Sequence, residues 1–393
     1  MIYLDYNSTT PVDERVLAAM LPFFRTDFGN SASRTHAFGW RAAEAAKIAR
    51  EQIAAFIGAR PEEIVFTSGA TESDNLGLKG VAEMYARKGD HIITVTTEHK
   101  AVLDACAYLE KIGKRVTYLS VNAEGLVDLE ELEREMTEQT VLVSIMLANN
   151  ETGVVQPMKE IAEIVHRHGS ILMSDATQAI GKIPVDVNAL GIDLMAFTAH
   201  KLYGPKGVGA LYVRRRNPRV NLSAQLHGGG HERNFRSGTL NVPGIVGFGK
   251  AISLCREEME QEALRIAALR DRLEQALLAV PETFVNGGQA SRLPNVTNMG
   301  LRYVNAEALI MAMRGVAVAT GSACTSAAIE PSHVLAAMGL DSNDAYASIR
   351  FSLGRFTTEE EVEETIQIVE AAIKKLRGRN PEWLAKLAAE KDA

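Results

Sequence analysis

Several polar residues in this chain have types and surroundings that can do chemistry on a small molecule. Lys201 stands in Ala199-His200-Lys201-Leu202-Tyr203-Gly204-Pro205-Lys206-Gly207, between a mostly apolar run from Asp193 to Thr198 and a second from Gly209 to Val213. Both runs read as strands, which puts the lysine at a strand end. A lysine partly desolvated there has a lowered ammonium pKa and can attack a carbonyl to form a Schiff base. A solvated loop lysine is the ordinary alternative, so the reading depends on what accompanies it.

A Schiff-base lysine serving pyridoxal phosphate needs an anion hole, an acid for the ring nitrogen and a stacking partner. Ser68-Gly69-Ala70-Thr71 offers backbone N–H groups and a hydroxyl at a helix start, a natural phosphate site, although a plain capped helix reads the same way. No Gly-Lys-Ser/Thr follows, so it is not a nucleotide P-loop. Asp175 ends an apolar strand, where a carboxylate needs a cation; a protonated pyridine nitrogen would be one, and a turn-capping aspartate is the alternative. Gln178, three residues on, can donate to the ring's phenolic oxygen. His99 can stack on the ring and move protons, and Thr198 and His200 flank Lys201 within reach of a phosphate.

The elements that must position these residues follow a repeated strand, loop, helix pattern. Strands read at Ile64 to Phe66, His91 to Val95, Val116 to Leu119, Val141 to Leu147 and Ile171 to Ser174, and polar clusters follow them. Such alternation implies an α/β fold with a mainly parallel sheet covered on both faces, and ligands there bind beyond the carboxyl ends of the strands. Thr71 and Asp74 have capping-box spacing. A helix from about Ile252 to Val280 is long enough to link two domains, and one from Thr358 to Leu376 is acidic early and basic late, as the helix dipole favours.

At 393 residues the chain is too long for one ordinary core. We expect a large domain over 13–256 and a smaller α+β domain over 1–12 and 257–393, the latter carrying a mobile loop at about 319–333. A net charge of -7 argues against nucleic acid as the main partner. Neither a signal-like start nor 18 consecutive apolar residues occur, so no membrane is expected and the expected compartment is the cytoplasm. Three cysteines are too few and too unevenly placed for a disulfide framework. Cys106 and Cys255 lie on helical stretches and read as packed thiols. Cys324 sits among small residues in Gly321-Ser322-Ala323-Cys324-Thr325-Ser326, in a loop with little side-chain anchoring.

Phe66 to Asn75, Ala148-Asn149-Asn150-Glu151-Thr152-Gly153, Asp175-Ala176-Thr177-Gln178, His200 to Gly207, the run from Gly228 to Thr239 and Gly321 to Ser326 together closely resemble the cysteine desulfurases. The resemblance is to the NifS/IscS family of class V aminotransferase-like enzymes, nearer the IscS type, and covers almost the whole chain. It implies the aspartate-aminotransferase-like fold type I of pyridoxal 5'-phosphate enzymes and sulfur removal from L-cysteine to give L-alanine. By resemblance, Lys201 would hold the cofactor covalently, Asp175 would keep its ring nitrogen protonated, and Gln178 would bond its phenolic oxygen. Ala70, Thr71, Thr198 and His200 would bind the phosphate, and Thr239 would reach the phosphate of the partner subunit in a homodimer. His99 would stack and act in acid–base steps, and Asn150 and Arg350 would hold the substrate carboxylate. The thiolate of Cys324 would take the sulfur as a persulfide and pass it to an iron–sulfur scaffold protein or to carriers for tRNA thiolation. Through that persulfide, Cys324 is also a candidate ligand of a 2Fe–2S cluster shared with the scaffold.

Ser8 and Ser31 replace a common alanine and proline of the family, away from the chemistry. The chain closes soon after Trp383, short of the tail with which the IscS type docks its scaffold, which leaves docking open. A selenocysteine lyase or another class V aminotransferase would keep Lys201, Asp175 and His99 without needing Cys324. A non-enzymatic assembly scaffold would be expected to lose the lysine or the thiol.

Overall fold

Runs such as Leu194 to Thr198 carry no polar face, and a strand apolar on both sides must lie inside a sheet covered twice. The computed structural model, which describes residues 1–320 and 331–392, builds that sheet. In chain order its strands are β1 (Ile2–Tyr3), β2 (Ile64–Thr67), β3 (His91–Val95), β4 (Arg115–Leu119), β5 (Thr140–Ser144) and β6 (Ile171–Asp175). They continue with β7 (Leu194–Thr198), β8 (Gly209–Val213), β9 (Thr283–Val285), β10 (Val296–Leu301), β11 (Val316–Ala317) and β12 (Ser348–Ser352).

Seven strands form the central sheet in the order β2-β8-β7-β6-β5-β3-β4. The links from β4 to β7 are parallel, whereas β8 runs antiparallel to both β2 and β7. The expected mainly parallel sheet is therefore present with one reversed strand. That reversal follows from the short turn after Lys201: parallel strands need a long crossover, and ten residues between Thr198 and Gly209 cannot supply one. Tyr203 completes the turn with φ 64°, a left-handed conformation unusual for a tyrosine, held by Tyr203 N–H donating to Thr10 Oγ1 at 2.8 Å.

A second sheet, β12-β10-β9, is antiparallel, and β1 pairs with β11 in a parallel ribbon beside it. Its core gathers Ile2 and Leu4 from the N-terminus with Met299, Leu301, Ile349, Phe351 and the helix Glu359–Arg377. That helix has the capping box that Thr358 and Glu361 form, three glutamates in its first turn and Lys374, Lys375 and Arg377 in its last.

The helix Val242–Leu278 joins the two cores: Ile245, Phe248, Ile252 and Cys255 pack under the large sheet, and Ile266, Leu269, Leu273 and Leu277 under the small one. It begins ten residues before the expected Ile252. Gly244, Gly247 and Gly249 are poor helix formers and hide that start, but a Cβ at Gly249 would stand 2.7 Å from Ala49 of the helix Ala37–Phe56. The glycine allows the two helices to touch.

Candidate active site

Each polar cluster follows a strand of the central sheet. The loop after β2 enters the helix Ala70–Met84 through Gly69, which contributes no capping side chain. The capping box expected from Thr71 and Asp74 does not form: the helix starts one residue before Thr71, Glu72 accepts the Ser68 N–H at 2.7 Å, and Asp74 is buried inside. Gly209 makes this arrangement feasible, since a Cβ there would meet the Gly69 backbone at 2.7 Å.

The strand ends open on a cleft of about 450 Å³ lined by Ala70, Thr71, His99, Asn150, Asp175, Gln178, Thr198, His200 and Lys201. Nine residues named from the sequence thus share one cavity, together with Met146, Thr177 and Lys206. Arg350, in the middle of β12, is not on the wall but touches it: Nη1 donates to the Asn150 carbonyl at 2.9 Å and Nη2 to Asp5 Oδ1 at 2.7 Å and Ser8 Oγ at 2.9 Å. Thr239 is exposed and outside the cleft. Cys324 lies outside the described residues.

Within the cleft, the Lys201 amine donates to the carbonyls of Asn7 and Ser8. Burial, then the Arg350 charge, pushes its pKa down to about 8, against the opposing pull of Asp175 and Asp5. A sizeable fraction of it is therefore a neutral, nucleophilic amine near neutral pH. His200 is pushed down to about 4 by burial and by Lys201 and is neutral. His99 is lowered by desolvation first, with Asp175 opposing; its Nδ1 accepts the Ala101 N–H at 3.1 Å, which leaves the ring proton on Nε2. Thr198 donates its hydroxyl proton to the Val208 carbonyl at 2.9 Å, so toward the cleft it offers lone pairs.

Asp175 Oδ1 accepts the Thr177 N–H at 2.8 Å, and among the described residues the carboxylate hydrogen-bonds no side-chain cation. Beneath it Asp74 and Glu98 are buried, and burial together with the Asp175 charge holds both carboxyls well above the usual range. Cys106 and Cys255 are buried, and desolvation pushes each thiol up to about 12.

Sequence reasoning missed Asn7, which enters the site from the N-terminus. Its Nδ2 donates to the Asn150 carbonyl at 3.1 Å, and its own carbonyl accepts from both Lys201 and Gln178. Asp5 and the contact of Lys182 with Asn7 were equally silent, because those partners lie 345 and 175 positions away, and Ser8, expected to lie away from the chemistry, instead accepts from Arg350 through Oγ and from Lys201 through its carbonyl. Lys182 at i+4 from Gln178 was the sole local hint.

The donors present suit pyridoxal phosphate. An unpaired carboxylate can face a pyridinium, a weakly basic amine can bond an aldehyde, and uncapped N–H groups at the start of the helix Ala70–Met84 can receive a phosphate. The seven-stranded sheet with this cleft at its carboxyl edge is that of the fold type I enzymes that use this cofactor.

The class-V aminotransferase family matches residues 2–365, and this chain belongs to it. It is 56% identical over 384 residues to the cysteine desulfurase IscS of Pectobacterium carotovorum subsp. carotovorum (strain PC1), covering 97% of this chain and 95% of that one. Among solved structures, a NifS-like protein superimposes with a TM-score of 0.87 at 40% identity, covering 94% of this chain and 98% of the other. A structure described as SspA in complex with cysteine has a TM-score of 0.81 at 37% identity, covering 91% and 100%.

Proposed function

We propose that this protein is a pyridoxal 5'-phosphate-dependent cysteine desulfurase that takes sulfur from L-cysteine, releases L-alanine and leaves a persulfide on Cys324. The observation that carries the reading is the single cleft that gathers an amine of depressed pKa, an unpaired carboxylate and an uncapped helix start. Near full-length identity to a cysteine desulfurase points the same way.

When bound, the cofactor supplies an electron sink that weakens the substrate's Cβ–S bond. Lys201 would hold it, Asp175 would serve its ring nitrogen and Gln178 its phenolic oxygen. Ala70, Thr71 and His200 would take the phosphate through backbone and ring N–H groups, with Thr198 beside them on the cleft wall. His99, whose Nδ1 is engaged by the Ala101 N–H, presents Nε2 for the acid–base steps. Asn150 and Arg350 receive the substrate carboxylate. The Cys324 thiolate attacks the substrate sulfur, the Cβ–S bond breaks with its electron pair left on Cβ, and a proton added there completes alanine. With Cys106 and Cys255 sealed in the core, Cys324 is the thiol left for this step.

The exposed position of Thr239 suits a homodimer in which it reaches the partner subunit's phosphate. The division at 13–256 against 1–12 and 257–393 accords with the two cores that the helix Val242–Leu278 joins. A free thiol as carrier suits the cytoplasm. Delivery to an iron–sulfur scaffold or other carriers, with Cys324 as a candidate cluster ligand, completes the reading; among the described residues no group of three or more His, Cys, Asp or Glu side chains could hold a metal ion.

The test is incubation with L-cysteine, with alanine measured against a persulfide mapped by mass spectrometry. Stoichiometric alanine and a persulfide on Cys324 are expected. Alanine formation undiminished in Cys324→Ser, which should keep the cofactor's colour, would overturn the assignment.

A further inference from the structure

Behind the cleft Lys182 belongs to a polar cluster but has no part in the roles above. The Lys182 stem runs along a cavity of about 20 Å³ lined also by Lys201 and Asn295, and its amine ends between two side-chain amide oxygens, Gln178 Oε1 at 2.7 Å and Asn7 Oδ1 at 3.2 Å. Its charged neighbours are cations, Lys201 and Arg350, and burial with their repulsion holds it well below an ordinary lysine pKa. Asn7 Oδ1 accepts from Asn295 Nδ2 at 2.9 Å as well, and Gln178 Nε2 donates to the Asn7 carbonyl at 2.9 Å.

This arrangement fixes which way the Gln178 amide points. The Lys182 nitrogen turns N–H toward both amide oxygens, and the Asn7 carbonyl beside it has only lone pairs to offer. Turning the Gln178 amide over would set its NH2 against the Lys182 amine and its oxygen against the Asn7 carbonyl, losing two hydrogen bonds and creating two like contacts. We propose that Lys182 is a positioning residue: it holds the Gln178 oxygen away from the cleft, so that an amide N–H faces the cofactor's phenolic oxygen. The proposal rests on the cleft being a pyridoxal phosphate site.

An N–H aimed at that oxygen favours its deprotonated form, so losing the aim raises the pH midpoint of the bound cofactor's visible absorption. Lys182→Met should raise it by roughly 0.5–1 unit, the size of one net hydrogen bond. In a Gln178→Ala background the same change should add nothing, because the effect passes through Gln178. His99, Asp175, His200, Lys201, Lys206, Glu72, Asp5 and Arg350, the other titratable groups on the cleft wall and against it, are unaltered in every variant. Spectral titration of the holoenzymes, with thermal unfolding run alongside, reads the result. A midpoint unmoved in Lys182→Met while only stability falls overturns the proposal, as does a full extra shift in the double variant. If Lys182→Met does not fold, Lys182→Leu carries the same expectations. A native chain with no visible band would instead sink the cofactor assignment itself.

Discussion

Replacing Arg350 by lysine separates charge from fork. The guanidinium is 5% exposed and spends three N–H groups on Asn150, Asp5 and Ser8. Among the described residues Nε–H is buried without a partner, and one Nη1 hydrogen also remains. These are the donors left for a substrate carboxylate. A lysine keeps the positive charge that depresses Lys201 but cannot serve Asp5, Asn150 and a carboxylate together, so at least one charge-assisted bond is lost. Such a bond contributes about 1.5–3 kcal/mol, or roughly 10–150-fold in kcat/KM. Because the carboxylate stays bound from substrate to transition state, the loss should fall on KM and leave kcat nearly unchanged. Alanine release measured against L-cysteine concentration reads this directly. Cysteamine, which lacks the carboxylate, should be turned over equally by native and Arg350→Lys protein. An unchanged KM for cysteine, or an equal loss on cysteamine, would refute the assigned contact.

Capture of pyridoxal phosphate by the cofactor-free chain should quicken about tenfold per pH unit up to about pH 8 and then level, because the neutral Lys201 amine is the reacting form; stopped-flow absorbance checks this. The same depressed pKa means that the unfolded chain binds more protons than the native one between about 8 and 10.5, so this group's contribution to stability rises with pH across that window. Glu232 accepts from Arg50 at 2.7 and 2.8 Å and from the Phe66 N–H at 2.8 Å, which ties the run leading to Thr239 onto β2. Glu232→Ala should therefore destabilise the fold by about 3–5 kcal/mol in urea unfolding, and a change under about 1 kcal/mol would show that the pair is not structural.

The residues that end strands were legible in the sequence because strand runs, polar ends and helix caps are local. Lys201 after Thr198, Asp175 after Ser174 and the anion-binding start at Gly69 need only a few neighbours to be read. Lys201 came with the cofactor, and the small-residue run around Cys324 with the reaction. What sequence could not supply was every contact made across the fold. The reversal of β8, the start of the helix at Val242 and the failed capping box at Thr71 were each decided by packing: a short turn, a glycine lying against Ala49, and an Asp74 drawn into the core. Asn7 is the clearest case. Nothing in Tyr6-Asn7-Ser8 predicts that its carbonyl will sit under Lys201, because the chain between them is 194 residues long and only the closure of the N-terminus onto β12 brings them together. Local order chose the reactive groups; tertiary contact set the amine's pKa, the tautomer of His99 and the direction of Gln178.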